Sequence, residues 1–125
     1  MASSSGDRSG GAGLDAAALD NLRRQGGDEL LGQLLASFHA RTPERLAGAR
    51  RALAADDRDE ALRLIHSLKS SAALVGAGAI RSLARQAEEQ ARAGTPELGS
   101  ALDRIEREFA QLLPDLTRRL EGTPR

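Results

Sequence analysis

HSLKSSAALVGAG, residues 66–78, is rich in alanine and leucine and reads as the second half of a helix over about 58–75, yet it carries a histidine with a lysine three residues on. Gly76 and Gly78 supply a stop and a tight turn. With residues about 100° apart around the axis and His66 at zero, Leu64, Val75, Leu68, Ala61, Ala72 and Ile65 fall between about 160° and 260°. That stripe has the width of a core-facing face, and its centre lies about 150° from His66. His66 is therefore expected to face solvent, with Ser70 and Arg63 on one side and Ala73, Leu62 and Lys69 on the other. One face of this helix builds a core, and the other presents an imidazole beside a cation.

The sequence on either side is helical as well. Upstream, Asp57-x-x-Glu60 resembles a capping box with aspartate in place of the usual serine or threonine, and Asp56-Asp57 breaks the pattern before it. Leu46, Ala49 and Leu53 form a stripe that Pro43 is placed to begin, because Thr42-Pro43 interrupts the stripe of Leu31, Leu34, Leu35 and Phe38, flanked by Leu30. Asp28 is the candidate cap of that earlier helix. A short amphipathic helix with Leu14, Ala17, Ala18 and Leu22 on one side precedes it and ends before Gly26-Gly27. Residues 1–13 are Gly/Ser-rich and are expected to form a flexible tail.

Downstream, Ile80, Leu83, Ala84, Ala87 and Ala91 mark a helix that ends near Gly94. Thr95-Pro96 reads as N-cap and first turn of the last helix. Its stripe is Leu98, Leu102, Ile105, Phe109, Leu112, Leu116 and Leu120, and Pro114 should kink it or divide it. No segment alternates with period two. The expected fold is all-α: an up-down antiparallel four-helix bundle over residues 14–121 with a short extra N-terminal helix.

Composition narrows the function. The 125 residues suit one domain, and 18 basic against 18 acidic side chains leave no basic excess for binding a polyanion. Phe38 and Phe109 are the only aromatics, too few for a base-stacking platform. Cysteine is absent, which removes thiolate metal sites and thiol nucleophiles and fits a cytoplasmic setting. No apolar run reaches the roughly 18 residues that span a bilayer, and the N-terminus lacks the apolar region of a signal peptide. The alanine, arginine and glycine bias suggests a GC-rich bacterial source.

An exposed imidazole is a good nucleophile for phosphorus and can carry a phosphoryl group as a phosphoramidate. Lys69, one turn away, can offset the added negative charge. Small side chains at Ser70 and Ala73 leave room for the group and for a partner's loops. Leu62 and Leu74 lie off the core stripe and offer an apolar docking surface, although for Leu74 cover by a neighbouring element is an equal alternative. Arg63, Arg81 and Arg85 would add positive potential. His39 has threonine, not lysine, three residues on and is given no role.

The run His66-Ser67-Leu68-Lys69-Ser70-Ser71-Ala72, followed by Gly76-Ala77, resembles the signature of histidine-containing phosphotransfer (HPt) domains. The resemblance extends over about residues 14–120, through Phe38, Pro43, Leu46, Ala52-Leu53 and Asp56-Asp57 before the motif and Ile80, Leu83 and Glu88 after it. It implies a phosphorelay intermediate. His66 would accept a phosphoryl group from the aspartyl phosphate of one receiver domain and pass it to another, and Lys69 would stabilise the phosphorylated state. The position after that lysine is commonly glycine in the family; here it is Ser70, whose hydroxyl can bond the imidazole or the phosphate. Glu88 matches a position that faces the site in some members, often as glutamine.

The resemblance also implies response-regulator receiver domains, and a hybrid histidine kinase, as partners. No cofactor is expected on this chain, since Mg²⁺ would belong to the receiver's acidic pocket. The chain shows no matching carboxylate cluster and no phosphate-cradling glycine loop, so a carrier is expected rather than a kinase, acting as a monomer. The alternative is a non-catalytic bundle that docks a receiver or kinase and regulates it. Its members would be expected to lose the histidine.

Overall fold

Four helices and no strand make up the described part of a computed structural model, residues 13–94 and 97–122. They are α1 (Ala16–Ala54), α2 (Arg58–Val75), α3 (Gly78–Arg92) and α4 (Leu98–Gly122). α1 packs against α2 and α4, and α3 packs against the same two, so the helices close a ring around one core. Within it Phe38 of α1 meets Phe109 of α4 edge to face, ring centroids 6.0 Å apart, a favoured geometry for two aromatic rings. The expected tail over residues 1–13 and the expected cap at Thr95-Pro96 lie outside the described residues, apart from Gly13, which is exposed.

α1 corrects one expectation. Its helix does not stop at Thr42-Pro43 but runs on to Ala54. An interior proline costs about 3 kcal/mol relative to alanine. The opposing force is a single buried face: Leu31, Leu35, Phe38, Thr42, Leu46, Ala49 and Ala52 follow one another at helical spacing. Thr42 is the core residue of that face at the proline, fully buried, with no hydrogen-bond partner for its Oγ1. A threonine before proline looks like an N-cap in sequence; here packing makes it interior. Similarly, α4 continues through Pro114 to Gly122 along the buried stripe Leu98, Leu102, Ile105, Phe109, Leu112 and Leu116, so Pro114 does not end it.

The expected break at Gly26-Gly27 is a kink inside α1, where Gly27 takes φ 72° and ψ −170°. Asp28 accepts from Arg23 Nε at 2.9 Å, bridging the kink. In the segment before it, Leu14, Leu19 and Leu22 are buried while Ala17 is exposed, so the apolar side is turned toward Leu19 relative to the expected one. This arm is tied at its start. Leu14 N–H donates to Asp115 Oδ2 of α4 at 3.0 Å, and Asp15 N–H donates to the Gly76 carbonyl at 2.9 Å. Burial works against charge on Asp115, but the Leu14 N–H and the Arg119 guanidinium outweigh it and hold its carboxyl below the ordinary value.

Gly76 caps α2 in the left-handed region (φ 76°), and a Cβ there would stand 2.9 Å from Asp15 N. Glycine is thus required twice at this turn, for its backbone conformation and for close approach. Gly78 is not part of the stop but the first residue of α3. At the other end of α2, Asp57 accepts from Glu60 N–H at 3.1 Å, while the Glu60 carboxylate turns to Arg63, so only the forward half of the capping box forms. Between α1 and α4, Arg50 pairs bidentately with Glu106 and also reaches Asp103. The Glu106 carboxyl is held low chiefly by the hydrogen bond from Arg50.

Candidate functional site

In α2 the residues Ala61, Ile65, Leu68, Ala72 and Val75 are buried, and Leu64 is half-buried at the edge of that stripe. Helix phase then places His66 outward, its side chain 61% exposed. Lys69, one turn on, lies lower against the surface at 28%. α3 buries Ile80, Ala84 and Ala87, which sets Glu88, four residues after Ala84, at the seam with α2. Glu88 is only 14% exposed and joins both α2 groups: its Oε2 lies 2.7 Å from His66 Nδ1 and its Oε1 2.6 Å from Lys69 Nζ.

Burial alone would disfavour charge on Glu88, but the hydrogen bonds from Lys69 and His66 outweigh it and hold the carboxyl below its ordinary value. An ionised carboxylate can only accept. The imidazole therefore donates from Nδ1, and in the neutral ring Nε2 carries the lone pair. A partly buried acid thus sets the tautomer of an exposed histidine, much as second-layer partners orient metal-binding histidines.

The other expected site residues divide. Ser70 and Ala73 are exposed on the His66 side of α2, leaving low relief there. The side-chain partner of His66 is Glu88, not Ser70. Arg63 does not turn toward the histidine; it forms a bidentate pair with Glu60 at 2.8 and 2.7 Å, one turn back on its own helix. Leu62 is half-buried against the core, whereas Leu74 is 47% exposed, so none of the four described helices covers it. Arg85 pairs with Glu89 at 3.0 Å, and Arg81 is exposed on α3. His39 is half-buried on α1.

Among the described residues, no group of three or more His, Asp or Glu could hold a metal ion, and no helix is long and apolar enough to cross a membrane. A family model described as Hpt domain matches residues 33–120, most of the chain and all of the site. This chain belongs to the Hpt-domain family. No curated protein and no solved structure gives a significant match. Hpt domains carry out histidine phosphotransfer in two-component signalling and interact there with receiver domains and histidine kinases. The match begins at residue 33, so the arm before the Gly26-Gly27 kink lies outside the matched residues.

Sequence reasoning singled out His66 and Lys69 and carried Glu88 as a lesser candidate; in the structure Glu88 is the group that connects them. Glu88 was carried from the family resemblance alone; its place in α3, four residues after the core position Ala84, is a further signal that the spacing holds. Two features were missed altogether: the hydrogen bond from Arg45 Nη1 to Ser71 Oγ at 2.6 Å, and the groove that α1 and α2 form beside it.

Proposed function

We propose that this Hpt domain relays a phosphoryl group through Nε2 of His66, between aspartates of receiver domains. The observation that carries this reading is the 2.7 Å contact between Glu88 and Nδ1 of an otherwise exposed His66. It supports a ring that keeps its proton inward and offers its lone pair outward.

The step needs no proton transfer. The Nε2 lone pair attacks the phosphorus of the receiver's aspartyl phosphate. The P–O bond to the aspartate breaks, and its electron pair returns to the carboxylate. The ring, now joined to phosphorus, is a cation that retains its Nδ1 proton, and the Glu88 carboxylate beside that proton neutralises it. Lys69, held by Glu88 one helical turn from His66, exchanges that partner for the phosphoryl oxygens. Onward transfer is the reverse: an aspartate oxygen of the next receiver bonds phosphorus, and the P–N electron pair returns to Nε2.

Ser70 and Ala73 leave room for the group, and the exposed Leu74 supplies apolar contact at the rim. Mg²⁺ belongs to the receiver's acidic pocket in this reading, and Arg63 has no direct part. The bundle acts as a monomer in the cytoplasm, its helices running up and down in turn through the short connections 55–57 and 76–77. The test is phosphorus and nitrogen NMR after labelling with phosphoramidate. The expected product carries phosphorus on Nε2 of His66, and His66→Gln carries none; label on another residue would defeat the reading.

A further inference from the structure

The two flanks of His66 are unlike. On the α3 side the ground is filled by the Lys69–Glu88 pair, with Arg85 held by Glu89 beyond it. On the α1 side a groove of about 600 Å³ runs between α1 and α2, reached by Ser67, the residue next to His66. Arg41, Arg45, Gly48 and Ala52 recur along α1 at spacings of four and three and line one wall. Its floor is shallow because the helices approach closely: a Cβ on Gly48 would stand 3.1 Å from Leu64 Cδ1.

The charges in this groove do not cancel. Arg41 and Arg45 are like charges one turn apart, an arrangement that weakens a helix. Arg45 donates to the neutral Ser71 hydroxyl, and neither Arg41 nor Arg51 has an ion-pair partner among the described residues. Of the acids lining the groove, Glu60 is neutralised by Arg63 and Asp57 caps α2, so Arg41, Arg45 and Arg51 outnumber Glu44 and Asp57 by one charge. Guanidinium groups so placed are forks suited to carboxylates. Resting on the phosphorelay reading, we propose that this groove docks an acidic segment of the receiver domain that exchanges phosphate with His66. The receiver then approaches over α1 and α2, leaving the Glu88–Nδ1 bond on the far side undisturbed.

The test uses a panel of receiver domains from the source organism, phosphorylated with acetyl phosphate, with initial transfer rates measured against receiver concentration. Arg41→Glu/Arg51→Glu should raise KM by about tenfold and leave kcat within about twofold, because charges at an interface rim act mainly on encounter. Arg45→Gln should move KM in the same direction by a smaller factor. Arg81→Glu/Arg92→Glu, an equal change of net charge on α3, should leave KM within about twofold. Labelling of His66 by phosphoramidate, which needs no docking, should be the same in all of these. Groove variants that transfer like wild type, or α3 variants impaired as much as they are, overturn the groove. Wild type that takes no phosphoryl from any receiver overturns the relay reading itself.

Discussion

Glu88 Oε2 of α3 lies 2.7 Å from Nδ1 of His66 on α2, and the other oxygen of the same carboxylate holds Lys69 at 2.6 Å. One partly buried acid therefore fixes the tautomer of the exposed ring and keeps the nearby ammonium close to it. The two helices must be packed in register for this to happen, so the site depends on the bundle.

Nitrogen-15 NMR of the unphosphorylated protein should show the neutral His66 ring protonated at Nδ1. Glu88→Ala should release it to a mixture of tautomers, since the partner of one nitrogen decides which carries the proton. Glu88→Gln keeps an acceptor for Nδ1 but loses the charge. It should retain the tautomer while slowing transfer by about tenfold, which corresponds to about 1.4 kcal/mol of lost stabilisation of the ring cation. An unchanged tautomer in Glu88→Ala would remove Glu88 from the site.

Lys69→Ala should shorten the lifetime of phospho-His66 or slow its formation by about tenfold, through loss of a charge-assisted contact to the phosphoryl oxygens. The change in melting temperature should be modest, because Lys69 is partly exposed and Glu88 keeps its contact with His66. A large fall in Tm with normal transfer would make Lys69 a structural residue.

Acid should loosen the fold through carboxylates held low in the native state: Glu88, Glu106 and Asp115. For a depressed carboxyl, the unfolded chain binds protons first as pH falls, so stability is full above the ordinary carboxylate range of about 4 and drains away below it. Thermal melts from about pH 6 down to pH 3 should show this decline, and Glu88→Gln should flatten it. Identical slopes for wild type and Glu88→Gln would show that Glu88 is not depressed by its neighbours.

The N-terminal arm should respond to Asp115 and Gly76. Asp115→Ala leaves Leu14 N–H without its acceptor, which costs about 1–3 kcal/mol where the group is buried. Gly76→Ala adds a left-handed alanine whose Cβ meets Asp15. In both variants hydrogen exchange should rise over residues 14–25 more than in α4, while Asp115→Asn retains much of the protection. Uniform exchange along the chain would show that the arm is not a separate unit.

Much of this was legible from residue spacing. The 3–4 recurrence of Ala61, Ile65, Leu68, Ala72 and Val75 sets the phase of α2, and phase alone places His66 outside. Gly76 announced its turn because few other residues tolerate φ 76°. What stayed hidden came from tertiary packing. Pro43 and Pro114 look like boundaries locally, but each lies in a helix whose apolar face continues on both sides. Arg63 looked like a site cation because Glu60, three residues back, is as easily read as a cap partner. The bond between Glu88 and His66 joins residues 22 apart on different helices, which no single-helix wheel can display.

Transfer from a phosphorylated receiver domain decides whether His66 carries phosphate received from an aspartate. Wild-type protein should acquire label that is labile to acid and stable to base, and lose it to a second unphosphorylated receiver. His66→Gln, with its helical circular dichroism intact, should acquire none. Equal labelling of the two proteins, or none on wild type across a panel of receivers from the source organism, would show that His66 is not the phosphate carrier.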